Sequence, residues 1–294
     1  MSELVLTSTA LVTAVLAVPL LTAAGVALAA EALARLGVSL SQWDVPAMAQ
    51  EFVREAQRAR SRFLRQLATQ APKEVAEALA RVQAIQEACS RQPVLGLVAE
   101  AQEVQRGIDR WREAQGAFQR RAFDRALRAA RQAEETLAQA AHQAWKRLSA
   151  AQQAVVAQAV RRALPSLGYR VEEASDGRAV AFRAQAGEHV LGVVVLDGGR
   201  LLVDAAGFPG MGCRSALEAF YRRLREEGVE VRPTARWAHQ RREGGPLLTW
   251  GKGAQGLLEG AARLQAVSPA WQEEGRKRAA LWLWTRQTAW EGRG

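Results

Sequence analysis

The chain reads as an α+β protein, with an N-terminal apolar helix and a helical, coiled-coil-like region ahead of a small, mostly antiparallel sheet with flanking helices. Three observations predict this. Residues 45–164 are rich in Ala, Gln, Glu and Arg, with apolar residues at near-helical spacing. At Pro165 the apolar period falls from about 3.6 residues to about 2. A continuous β-branched run, His189 to Leu196, then marks a central strand.

The 294 residues are 49% hydrophobic and 24% charged, which excludes wholesale disorder and leaves room for about two domains. The two cysteines exclude a disulfide scaffold and an all-cysteine zinc cage, and they suit a reducing compartment. The three histidines are far apart, so no metal or other cofactor is expected. The net charge of +10 is unevenly spread: residues 45–164 carry 20 basic against 12 acidic residues, while residues 1–44 are slightly acidic. The expected division is 1–44, 45–148, 149–232 and 233–294.

From Leu4 to Ala30 there is no charged residue, a run long enough to cross a bilayer as a helix, although Pro19 and several hydroxyls dilute it. Three readings compete. The run is a membrane anchor with the Arg-rich bulk on the cytoplasmic side, a helix buried against other helices, or a signal cleaved near Ala27–Ala29. Localisation is therefore cytoplasmic or membrane-anchored in the first two readings, and secreted in the third.

The helical region is punctuated by prolines. One helix is expected from Pro46 to Thr69 and the next from Pro72 through Ala88, with a break at Gln92-Pro93. A long stretch from Val94 to Lys146 has Gly107 and Gly116 as weak points. Ser149 is a plausible N-cap for a last helix, Ala150 to Leu164. Ala117 to Ala133 echoes half of a tetratricopeptide-type repeat, but no second copy follows at a fixed period. Arg58, Arg60, Arg62, Arg120 and Arg121 could contact phosphates. They read better as a solvated face with acids one turn away, such as Glu55 with Arg58 and Asp124 with Arg128.

In the α+β module, short runs at Tyr169–Glu172 and Ala179–Arg183 precede the central strand, and Asp197-Gly-Gly turns the chain back into Leu201–Asp204. An amphipathic helix, Arg214–Glu227, ends at Gly228, and Val229–Val231 reads as a last strand. The helices are expected on one face of the sheet. The loop before the amphipathic helix, Gly207, Gly210, Gly212, Cys213 and Arg214, suits an anion or a docking partner, because its glycines feed a helix N-terminus. The same setting would activate Cys213 as a nucleophile, with His189 or His239 as base; the competing reading is a tight turn with a packed cysteine. No other catalytic set is visible.

The run Asp204, Gly207-Phe208-x-Gly210-x-x-Cys213 and the helix after it resemble a small, uncharacterised α+β domain of bacteria and plastid-type genomes. That domain is often found beside ATPases of the AAA+ superfamily. The resemblance covers about residues 190–231 and implies an accessory role with an ATPase as partner. It carries over no functional residue, and the long helical flanks depart from the family.

The tail beyond Pro233 holds six of the nine tryptophans. Arg236, Trp237, Arg241 and Arg242 combine stacking and charge, a mixture that suits nucleic acid. Residues 251–256 match G-x-G-x-x-G, but no second strand with an acid follows, so a glycine-rich linker before a helix is the better reading. Trp282 and Trp284 would lie about 200° apart on a helix, which weakens an interfacial membrane helix. The preferred function is a non-catalytic helical adaptor that docks a protein partner through the α+β module. Homo-oligomer formation and membrane association through Leu4–Ala30 are compatible with it. The alternatives are a basic nucleic-acid-binding protein and, third, an enzyme using Cys213.

Overall fold

A computed structural model describes residues 45–92, 95, 99–208, 212–231 and 253–267. The chain divides into two compact units, with the division between Leu148 and Ser149 among the described residues.

The first unit is helical. It contains α1 (Val45–Leu67), α2 (Lys73–Ser90), α3 (Ala101–Gln119) and the first part of α4 (Phe123–Ser166). Pro72 occupies the N-cap position of α2, where its missing N–H costs nothing, and its carbonyl accepts the Ala76 N–H at 3.0 Å. Alanines line the helix contacts: Ala56, Ala76, Ala84, Ala114, Ala117, Ala126, Ala130 and Ala133 are fully buried. Small side chains let helices approach closely, and Gly107 shows how closely. A Cβ there would lie 2.6 Å from Cδ2 of Leu137. Phe52 and Trp145 supply bulk, meeting edge to face with centroids 6.0 Å apart. Arg62 pairs with Glu87 and Arg91 with Glu55, tying α1 to α2, while Arg125 pairs with Glu113 at 2.9 Å between α3 and α4.

Neither glycine breaks the long middle stretch. Gly107 and Gly116 both lie inside α3, and the chain turns at Arg120–Ala122. There the Arg121 N–H bonds the Phe118 carbonyl and the Ala122 N–H bonds the Ala117 carbonyl, both at 2.9 Å, which closes a Schellman motif. Arg121 takes the left-handed position itself, at φ 58°. Phe118 and Phe123 pack across the turn, 6.3 Å apart. Ser149 also starts no helix. α4 runs through it unbroken because no glycine or proline interrupts the chain there, and its hydroxyl donates to Asp197 at 2.6 Å.

The second unit places the C-terminal part of α4 on a four-stranded antiparallel meander. The strands are β1 (Arg170–Ser175), β2 (Val180–Ala186), β3 (His189–Val195) and β4 (Leu201–Ala206), in that spatial order. α4 ends in a second Schellman motif at Gly168, φ 84°, with the Tyr169 N–H on the Leu164 carbonyl. Val160, Ala163 and Leu164 of α4 and Phe220 and Leu224 of α5 (Gly212–Glu226) bury one sheet face, built from Phe182, Ala184, Leu191, Val193 and Val195. Gln153 reaches from α4 to the sheet end, donating to the carbonyls of Arg178 at 2.9 Å and Val195 at 3.1 Å.

The opposite face is not bare, which corrects the expectation of helices on one side. α6 (Gly253–Val267) sets Ala254, Leu257, Leu258 and Ala261 against Ala181, Val194, Leu196 and Leu202. The unbroken apolar run of β3 has this cause: a strand covered on both faces loses the alternation of a half-buried one. The fifth strand is also absent among the described residues. Val229 is buried in the α4/α5 face, and its N–H is taken by the Leu224 carbonyl at 2.8 Å in the cap of α5. A donor spent on the cap cannot join a ladder.

Candidate functional site

The β4–α5 loop was the strongest local signal in the sequence. Gly207 has φ 77°, and a Cβ there would fall 1.9 Å from the Glu188 carbonyl oxygen, so only glycine lets β4 end against the β2–β3 turn. Beside it the rings of His189 and Phe208 stack, 4.4 Å apart and 12° from parallel. Gly212 and Cys213 open α5, both half-buried. Arg214 turns along the helix to Glu218 at 2.9 Å, so its charge is paired within α5. Gly210 lies outside the described residues.

His189 engages Phe208, and His239, the other base considered for Cys213, lies outside the described residues. The second thiol, Cys89, is unsuited to nucleophilic work because burial pushes its pKa up to about 12. Among the described residues no three His, Cys, Asp or Glu side chains gather as a metal site.

The basic residues of the helical unit are largely spoken for. Ten of its arginines, including Arg54, Arg58, Arg110 and Arg131, form ion pairs with acids of the same unit. Glu55 pairs with Arg58 at 3.0 Å as the spacing suggests; Asp124 and Arg128 form no pair within reach. An open groove of about 520 Å³ lies between α3 and α4, lined by Arg106, Asp109, Arg110, Glu113, Gln132, Glu135 and Thr136. Its charges answer each other: Arg125 and Arg110 hold the Glu113 carboxyl below its ordinary range. The cluster Arg236, Trp237, Arg241 and Arg242, like Leu4–Ala30, lies outside the described residues. Among the described residues no helix is long and apolar enough to cross a membrane.

Of the G-x-G-x-x-G match, residues 253–256 are among those described. Gly253 begins α6 at φ 77°, and the Glu172 carboxylate lies 2.6 Å from where its Cβ would be. The positive end of that helix therefore already faces an anion supplied by β1.

The two edges of the sheet differ in a way that the sequence reading missed. β1 carries Arg170, Glu172 and Glu173, and Glu173 accepts two bonds from Arg161, at 2.6 and 2.8 Å. Charges of this kind guard an edge against further pairing. β4 reads Leu-Leu-Val-Asp-Ala-Ala, and its one charged residue, Asp204, is only 5% exposed. The Leu196 N–H bonds the Arg200 carbonyl at 2.7 Å, which sets the alternation of the β3–β4 ladder. Leu202, Asp204 and Ala206 point their backbone groups at β3; Leu201, Val203 and Ala205 point theirs away from it. The Asp204 carboxylate accepts the Ala205 N–H at 2.9 Å. Among the described residues, nothing bonds the outward N–H and C=O groups of Leu201 and Val203. Leu201 and Val203 are half-buried, while Leu202 is buried. The signal in the sequence was the absence of Lys, Glu and Pro from a strand that ends the meander.

Fold and site together define a helical unit and an antiparallel sheet unit with one charged edge and one edge whose outward groups at Leu201 and Val203 nothing bonds among the described residues. Compared with protein-family models, curated proteins and solved structures, the chain matches none, so its function is argued from this geometry.

Proposed function

We propose that the protein is a non-catalytic adaptor that docks a protein partner through its α+β unit. The observation that carries this reading is the outer edge of β4, because outward backbone donors and acceptors that nothing bonds among the described residues, on a strand whose one charge is buried, are a template for adding another strand. The internally paired charges of the helical unit support a scaffold over a phosphate-binding surface.

The test is a substitution that silences the edge and spares the ladder. The Val203 N–H points away from β3, so Val203→Pro removes an outward donor without taking a β3–β4 bond. Full-length chain and the variant are used to recover partners from extract of the source cells. The adaptor reading expects partners with the native chain that Val203→Pro loses and Cys213→Ser keeps. Identical partners with Val203→Pro would place docking elsewhere.

A further inference from the structure

Independently of β4, we propose that the tip of the α3–α4 hairpin docks the phosphodiester backbone of a nucleic acid. Residues 45–148 carry 18 basic residues against 12 acidic ones, and the arginines left unpaired gather at one place. Arg120, Arg121 and Arg128 are exposed, and none of them forms an ion pair among the described residues. Their neighbours differ: Arg112 is held by Asp109, Arg125 by Glu113 and Arg131 by Glu74. Of the other arginines of this unit outside ion pairs, Arg60 is half-buried, and Arg65 and Arg106 donate to the Ser61 and Gln102 carbonyls of their own helices. One acid stands among the three, Asp124, in the first turn of α4, where the positive end of the helix attracts it.

The backbone sets where these charges stand. Arg120 and Arg121 form the turn itself, and the Arg120 guanidinium lies 3.5 Å from where a Cβ of Gly116 would be, room that the missing side chain leaves along α3. Arg128 follows the start of α4 by a rise of about 7.5 Å, so all three arginines belong to the last turns of the hairpin. The uncharged residues exposed there are only Gln119 and Ala122; Phe118 and Phe123 are half-buried against each other. A tip with no exposed aromatic or large apolar side chain has nothing to insert into a bilayer and nothing to stack on a base. It reads charge alone. A duplex carries one negative charge per about 1.7 Å, so a cluster of this size meets several phosphates at once, without regard to sequence. Each guanidinium can take two oxygens of a phosphate.

The experiment measures anisotropy of a labelled DNA of about 20 nucleotides, single-stranded and as a duplex, titrated with the full-length protein from about 50 to about 200 mM salt. The native chain is expected to bind with a log affinity that falls linearly with log salt. In Arg120→Gln/Arg121→Gln/Arg128→Gln the affinity drops about tenfold or more, and the slope lessens by about 2–3, the loss of three phosphate contacts. Arg54→Gln/Arg58→Gln/Arg112→Gln removes the same charge from arginines that acids already hold, and it changes affinity by less than about threefold. Circular dichroism of both variants keeps the native helix signal. Equal losses in the two variants assign binding to net charge and overturn the tip. Unchanged binding in the tip variant overturns it too, as does binding of neither form of DNA by the native chain. If the native chain binds anionic phosphatidylserine vesicles but no DNA, and the tip variant loses the vesicles, the tip meets a membrane and the nucleic-acid assignment falls. None of these outcomes involves Val203→Pro, so this proposal and docking at β4 fail separately.

Discussion

The helical unit and the sheet unit bury their interiors by opposite means. In the first, fully buried alanines such as Ala84, Ala114 and Ala130 bring helix backbones together, and Gly107 leaves room for Leu137 alone. In the second, Phe182, Phe220, Leu191 and Leu224 fill the space between sheet and helices with bulk. Close packing makes both sensitive to substitution, in opposite directions: adding atoms harms the first and deleting them harms the second.

The largest effect is expected in the sheet unit. Phe182→Ala should cost about 3–5 kcal/mol by urea unfolding, because the ring is wholly buried under α4 and α5 and neither backbone can collapse into the gap. A loss below about 1 kcal/mol would mean that the aromatic core does not hold this unit together. In the helical unit the damaging change is an addition. Gly107→Ala forces its Cβ onto Leu137 and should cost about 1–2 kcal/mol net, since overpacking outweighs the helix propensity gained. In a Leu137→Ala background the same change should become neutral or stabilising. Additive effects in that cycle would break the contrast between the units.

A smaller effect isolates the backbone. Arg121 holds φ 58° in the cap of α3, a conformation that glycine adopts without strain. Arg121→Gly should raise stability by about 1 kcal/mol, and the gain should appear as a shifted denaturant midpoint with unchanged slope. The smallest effect is a pH dependence confined to the helical unit. Burial, and then the nearby Lys146, lower the pKa of His142 from its ordinary 6.5. The unfolded chain therefore takes up the proton first on acidification. The stability that comes from keeping this imidazole neutral is complete above 6.5 and declines as the pH falls below it, levelling off below the folded value. His142→Gln should flatten that part of the stability profile, and an unchanged slope would assign it to other groups.

Much of the architecture was legible because it depends on local rules. Pro72 and Gly228 mark helix ends through their backbone restrictions, and Asp197-Gly-Gly turns β3 into β4. Where the reading failed, a tertiary partner outweighed a local preference. Ser149 has an N-cap side chain but bonds Asp197, 48 positions later. Val229-Glu-Val231 has strand composition, but the cap of α5 takes the Val229 N–H. The break at Arg121 falls five residues past Gly116, where the Schellman bonds close and Phe118 meets Phe123 across the turn. The candidate site follows the same division: the Gly207 loop is a local feature, whereas the outer edge of β4 depends on which strand ends the sheet.

Periodicity and turn chemistry alone determined an α+β chain with a helical first part and an antiparallel second part, because both act over a few neighbouring residues. Only the tertiary structure decided that α6 covers the second face of the sheet, that Glu172 faces the start of that helix, and that β4 ends the sheet on the side touched by α5. Each of these depends on groups distant in sequence. Their meeting is set by competition for burial and hydrogen bonds across the whole fold, which no local pattern encodes.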